Sequence, residues 1–254
     1  MGEKSDMKDH KKNPKNKSRV LEQLLKACQK LIEVVYPPLC LCCQQRTNHL
    51  RSLFCQSCLE HLTLLDQEHR CTRCFAQIEH TGMCRTCFSY HPPFKRHAAA
   101  CENYGPPLAL LTHLQRGEAA LAKTIASLMV MQHNKLDWPI PDWIIPCPTH
   151  LFPSFHPQGK LTRQVALETA KIFERPLCNA LKKSIDYAYF GALDSKQKPT
   201  RFSAALYKRE DLSDKAILLV TLNSDQEERK QACEQLQGFF PKEVYSLSFL
   251  SFSD

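Results

Sequence analysis

Four Cys-x-x-Cys pairs, Cys40/Cys43, Cys55/Cys58, Cys71/Cys74 and Cys84/Cys87, crowd into less than fifty residues of this chain. Two thiolates two residues apart in a tight turn can face one cation, and a tetrahedral structural zinc needs two such knuckles. Eleven residues separate the first two pairs and nine the second two, enough for each to fold back as a hairpin. The sequential assignment, pairs one with two and three with four, gives two stacked zinc ribbons. The cross-braced assignment, one with three and two with four, is the rival. Cys42 offers a second spacing beside Cys40 and Cys43, and Cys40 with Cys43 is preferred because every other pair uses two intervening residues. His49, His61, His69 and His80 have no matching spacing. Two structural zinc ions are therefore expected. With four sulfurs around each, no position is open for water or substrate, so a catalytic zinc is not expected.

Fourteen cysteines in a small secreted protein would signal disulfides, but this chain has 254 residues and a polar, Lys-rich start without an apolar core segment. That start reads as neither signal peptide nor anchor, and no apolar stretch approaches the ~18 to 20 residues of a membrane span. The expected setting is cytoplasmic, with no membrane insertion. Cys28, Cys101, Cys147, Cys178 and Cys233 stand apart and read as small buried hydrophobes.

The net charge of +8 is unevenly spread. Residues 1–19 carry seven Lys/Arg against three acids and read as a disordered basic tail. Zinc bound to eight thiolates adds a net −4, which leaves the body near neutral. Within it, residues 160–209 hold eleven Lys/Arg and four acids, whereas residues 210–254 hold four and nine. A polyanion site on the folded part would thus lie in the middle of the C-terminal region.

Leu21, Leu24, Leu25, Cys28, Leu31, Ile32 and Val35 recur at helical spacing, with Ser18 as cap and Pro37-Pro38 as stop. The organisation read from the chain is a tail at 1–19, an amphipathic helix at 20–38, a double ribbon at 39–90 and an α/β domain at 91–254. In that domain His97 to Tyr104 reads as a strand, and Pro106-Pro107 opens a helical stretch interrupted at Gly117. Trp143 to Ile145 reads as a strand, Thr162 to Phe173 as a helix, Ala216 to Leu222 as a buried strand, Ser224 to Gln237 as a helix and Val244 to Leu250 as the closing strand. Short apolar strands alternating with helices predict a mainly parallel sheet covered by helices. Asp186 to Tyr207 reads as a long excursion.

These features resemble the competence protein ComF family, also called ComF/GntX, whose members join a double zinc ribbon to a type I phosphoribosyltransferase-like domain. The resemblance rests on Tyr36-Pro37-Pro38-Leu39-Cys40, the four cysteine pairs, Tyr104 before a helix, and Ile145-Pro146-Cys147-Pro148, similar to the family's Val-Pro-Val-Pro. It extends through Gln197, Arg201 and the strand Ile217 to Val220. It implies a phosphoribosyltransferase-like sheet and a role in DNA uptake or processing.

The departures fall where the chemistry would be. In the family this strand ends in two acids that hold ribose hydroxyls, followed by a Thr/Gly-rich turn that wraps a 5′-phosphate. Here it runs Thr221-Leu222-Asn223-Ser224-Asp225-Gln226-Glu227-Glu228: no acid pair, no glycine, and acids where a dianion would sit. Ser224 and Glu227 form a capping box instead. The family's Arg-Gly-Phe-Asn is matched only by Gln158-Gly159-Lys160-Leu161. The expectation is a domain that has lost catalysis, with no catalytic residue assigned; an active phosphoribosyltransferase with a rearranged site is the alternative. Lys182, Lys183, Lys196, Lys198, Arg201, Lys208 and Arg209 alternate with Tyr187, Tyr189, Phe190, Phe202 and Tyr207, a pattern of cations and stacking faces suited to single-stranded DNA. Such DNA and a DNA-uptake or helicase protein are the expected partners. A zinc-ribbon module that binds protein is the third reading.

Overall fold

A computed structural model describes residues 37–47, 49, 52–148, 160–185, 200–204, 210–223 and 226–251. The chain divides into two compact units, Met1–Cys58 and Leu59–Asp254. The basic tail and the expected helix of residues 20–38 lie almost wholly outside the described residues, as do Ser224, Asp225 and the segment from Asp186 to Pro199.

Two short helices, α1 (Gln56–Glu60) and α2 (Arg85–Ser89), belong to the cysteine region. The larger unit then runs β1 (Arg96–Cys101), α3 (Gly105–Gln115), α4 (Leu121–Lys135), β2 (Trp143–Pro146), α5 (Leu161–Phe173), β3 (Leu181–Ile185), β4 (Thr200–Ala204), β5 (Ala216–Thr221), α6 (Gln226–Gln237) and β6 (Glu243–Leu250). Strands β1, β6, β5 and β2 form, in that order, one four-stranded sheet in which all three pairings are parallel. The mainly parallel sheet with flanking helices is thus present.

Burial explains the strand sequences. Ile217, Leu218, Leu219 and Val220 of β5 are all fully buried, although successive residues point to opposite faces. Both faces are therefore covered, as apolar parallel strands require. On one side Ile217, Leu219, Ile145 and Val244 pack with Ala232, Cys233 and Leu236 of α6 and with Leu181 and Leu212. On the other, Trp138 lies against Tyr245, and His133 of α4 stands edge-on to Trp138 and to Phe173 at the end of α5.

The helical stretch breaks at Gly117 as expected, its φ of 105° being one that L side chains rarely adopt. β1 stops at Cys101, short of Tyr104, which instead serves as the extended N-cap of α3. The larger correction concerns the expected excursion from Asp186 to Tyr207. Its residues 200–204 form β4, which pairs antiparallel with β3 and sets Lys182 opposite Ser203, Lys183 opposite Phe202 and Ser184 opposite Arg201. Neither strand has an apolar run or a clean alternation in sequence. The two strands pair through their own ladder, and α6 runs beside both.

Both outer strands of the sheet take backbone hydrogen bonds from outside it. On β2, Ile144 N–H donates to the Pro176 carbonyl (3.0 Å) and Cys178 N–H to the Ile144 carbonyl (2.9 Å). On β1, His97 N–H donates to the Arg73 carbonyl (2.7 Å) and Leu65 N–H to the Ala100 carbonyl (3.0 Å). An uncovered outer strand is a template for pairing with another chain, so these contacts blunt both ends of the sheet.

Candidate metal centres

The cysteine pairs assemble sequentially. Cys40, Cys43, Cys55 and Cys58 form one group and Cys71, Cys74, Cys84 and Cys87 another, the four sulfurs of each lying within 4.8 Å of one another. The two groups are built by the same backbone. In the first, Leu39 bridges Arg46, Cys40 N–H donates to the Gln45 carbonyl (2.8 Å) and Gln44 N–H returns to the Cys40 carbonyl (3.0 Å). In the second, Arg70 bridges Gln77, Cys71 N–H donates to the Ala76 carbonyl (2.8 Å) and Phe75 N–H returns to the Cys71 carbonyl (3.0 Å). The residue after the second cysteine is left-handed in both, Gln44 at φ 62° and Phe75 at φ 65°. A matching bond joins the knuckles within each ribbon, Leu41 N–H to the Leu53 carbonyl (3.0 Å) and Thr72 N–H to the Gly82 carbonyl (2.9 Å). Each second knuckle then begins a helix, with Cys55 directly before α1 and Cys84 as the N-cap of α2.

Donor chemistry and spacing both fit zinc. Metal–sulfur bonds of about 2.3 Å in a tetrahedron put the sulfurs about 3.8 Å apart. Cys43 and Cys55 Sγ lie 3.5 Å apart, and Cys74 and Cys84 Sγ 3.7 Å. Backbone N–H groups point at the sulfurs: Cys84 N–H at Cys71 Sγ (3.3 Å) and Cys87 N–H at Cys84 Sγ (3.4 Å). Burial alone would raise the Cys40 and Cys71 thiols. The backbone N–H groups aimed at them win, bringing Cys40 down to about 6 and Cys71 to about 7. Burial first, and then the neighbouring Cys71 sulfur, push Cys74 up to about 11. Without metal these sulfurs compete for charge, which a dication relieves while displacing their protons. Cys42, His49, His61, His69 and His80 belong to neither group. All ligands of both centres are cysteine, so these are two closed, structural zinc sites.

The second centre is built into the unit that carries the sheet. Arg73, whose carbonyl accepts from β1, sits between Cys71 and Cys74. Arg70 at the base of the same knuckle meets Glu102 just past β1 (2.6 Å) and lies over the Phe75 ring, and Glu102 also accepts from the Ser251 hydroxyl after β6 (2.6 Å). Gln132 of α4 donates to the Leu65 carbonyl (2.9 Å), and Cys74 packs against the core cluster. Sequence spacing found the ligands. It did not find Arg70 and Arg73, whose roles depend on a backbone carbonyl and on a partner some thirty residues on.

At the end of β5 the residues are already engaged within the sheet. Thr221 is fully buried with its hydroxyl 2.7 Å from that of Ser248, and Leu222 is 5% exposed with its carbonyl accepting from Leu250 N–H. Of the basic residues singled out for nucleic acid, Lys182 is exposed on β3, Lys183 follows it, and Arg201 lies on β4. Lys196, Lys198, Lys208 and Arg209 lie outside the described residues.

Residues 31–88 match the double zinc ribbon domain family. Among curated proteins none matches the chain. Of solved structures, the L. donovani hypoxanthine-guanine phosphoribosyl transferase is similar over 55% of this chain and 74% of its own, at 12% identity and a TM-score of 0.33. The purine phosphoribosyltransferase from Pyrococcus horikoshii is similar over 55% and 89%, at 14% identity and 0.31. The Trypanosoma cruzi hypoxanthine phosphoribosyl transferase is similar over 53% and 64%, at 13% and 0.31. Scores this low assign no activity and no ligand.

Proposed function

We propose that this chain, a double zinc ribbon joined to an α/β body, is a cytoplasmic, non-catalytic protein of the ComF type that holds single-stranded DNA during its uptake or processing. The observation that carries the loss of catalysis is the end of β5. A site for a ribose would need carboxylates there and a turn open to phosphate. The chain instead spends Thr221 on Ser248, buries Leu222, and follows with Glu227 and Glu228 in the first turn of α6. No helix among the described residues is long and apolar enough to cross a membrane.

Support for DNA comes from the β3–β4 ribbon. Its register brings Arg201 onto the same short antiparallel pair as Lys182 and Lys183, with Lys182 and Arg201 at positions of one face and Lys183 and Phe202 at positions of the other. Two basic positions on one face of a two-stranded ribbon, and a basic position opposite an aromatic one on the other, suit a phosphate backbone with unstacked bases. The test is fluorescence anisotropy with labelled single-stranded DNA across a salt series. Binding at ~50 mM salt should weaken linearly in log salt, and Lys182→Glu with Lys183→Glu and Arg201→Glu should flatten that slope. No binding at that salt, or a slope untouched by the triple reversal, would refute the DNA reading. A melting shift with phosphoribosyl pyrophosphate and Mg2+ would instead establish the active-enzyme alternative, since a ligand that binds only the native state raises its melting temperature.

One observation favours a protein partner instead. The residue after the last ligand of each ribbon is apolar and exposed, Leu59 at 51% and Phe88 at 76%. Leu59→Ser with Phe88→Ser should leave DNA affinity unchanged if that position serves a protein.

A further inference from the structure

We propose that the first zinc centre is an oxidant-labile site, at which a peroxide joins Cys43 to Cys55 and releases the metal while the second centre keeps its own. The two groups have the same ligands and the same knuckles, so a difference in reactivity must come from their surroundings. Cys43 is exposed and Cys55 and Cys58 are half-buried, which leaves one ligand in the first centre fully buried. In the second, Cys71 and Cys87 are both buried, and Cys74 packs against the core of the α/β body. Oxidation follows thiolate character and access. Zinc keeps the sulfurs of both centres as thiolates, so access decides between them.

The step balances without further co-reactants. The Cys43 thiolate attacks one peroxide oxygen, the O–O bond breaks, and hydroxide leaves from a sulfenic acid. The Cys55 thiolate, 3.5 Å away, then attacks that sulfur, the S–O bond breaks, and a second hydroxide leaves. Two electrons pass from the sulfurs to the peroxide, two protons turn the hydroxides into water, and the zinc is left with two ligands. Cys42, half-buried and outside the ligand group, is the competing thiol on the same turn.

The test uses full-length, zinc-loaded protein, hydrogen peroxide at a few equivalents, a chromophoric zinc chelator, and mass mapping of alkylated thiols. One zinc per chain should leave in a fast phase, with the second slower by about tenfold or more. The fast phase should coincide with a Cys43–Cys55 disulfide, and dithiothreitol with zinc should reverse it. Cys42→Ser, which changes no ligand, should leave the fast phase intact. Release of both metals at one rate, release from the second centre first, a disulfide that uses Cys42, or loss of the fast phase in Cys42→Ser would each overturn the proposal.

Discussion

The two zinc ribbons are copies in backbone and strangers in context. Each has a bridged knuckle, a left-handed residue after its second cysteine, one cross-knuckle hydrogen bond and a helix after its third ligand. The first closes a unit that ends at Cys58, whereas the second lies inside the unit that carries the parallel sheet. A knuckle's geometry is therefore set locally, by the metal and a handful of backbone bonds, whereas its importance to the rest of the molecule is set by what borrows its leftover polar groups. In the second ribbon β1 borrows the Arg73 carbonyl, and Glu102 borrows the Arg70 guanidinium.

The sharpest way to break this contrast is to remove one metal at a time. Cys71→Ser with Cys74→Ser should abolish the cooperative melting of the α/β body or leave the protein insoluble. Structural zinc supplies ~10 to 16 kcal/mol, and a whole domain is stable by only ~5 to 15 kcal/mol. Cys40→Ser with Cys43→Ser should shift the body's melting temperature by less than about 2 °C. Differential scanning calorimetry on both variants decides it, and equal losses would erase the distinction.

Acid gives a second, smaller handle. Burial first, and then the Arg229 guanidinium, hold His97 on β1 well below its ordinary range, and burial lowers His133 on α4. Unfolded, both would take up a proton near 6.5, so the denatured chain binds more protons than the native one as pH drops through that value. Their contribution is complete above about 6.5 and falls below it by about 1.4 kcal/mol per pH unit for each histidine, until the folded group itself titrates. His133→Phe, which keeps ring contacts to Trp138 and Phe173, should remove one histidine's share of the slope in urea titrations at stepped pH. In the same series zinc from the second centre should leave along the body's transition, and zinc from the first on a curve of its own.

The smallest test compares matching positions at the base of each knuckle. Arg70→Met removes the ion pair with Glu102 and should cost the body about 1 to 3 kcal/mol. Leu39→Ala, at the same place in the first ribbon, should change the body by less than about 0.5 kcal/mol. Denaturant midpoints for the two variants that coincide would show that Arg70 ties nothing together.

Much of this was legible in the sequence, for reasons that differ by region. The ligands were readable because two-residue spacing is a covalent constraint that no tertiary contact alters. β5 was readable because a strand buried on both faces is apolar throughout, as Ile217 to Val220 are, and β6 because only Ser246 and Ser248 interrupt an otherwise apolar Val244 to Leu250. β3 and β4 escaped notice because Lys182, Lys183 and Arg201 break both alternation and apolar runs, and their pairing spans a long insertion. The embedding of the second ribbon was invisible for another reason. It runs through the Arg73 and Ala100 carbonyls, which every residue possesses and no side chain advertises.

The strand order β1-β6-β5-β2 gives that embedding a meaning in time. During synthesis β1 emerges early, yet its only partner in the sheet, β6, is the last strand made, beginning at Glu243. At ~5 to 20 residues per second the ribosome needs on the order of ten seconds to cover that gap. Throughout it the bare strand Ala98-Ala99-Ala100-Cys101 would meet neighbouring nascent chains with nothing to pair against. The four cysteines of the second centre are all translated before β1. The Arg73 carbonyl, set between two of those ligands, accepts from His97 N–H, so one edge of β1 has a partner encoded ahead of it in the chain, long before β6.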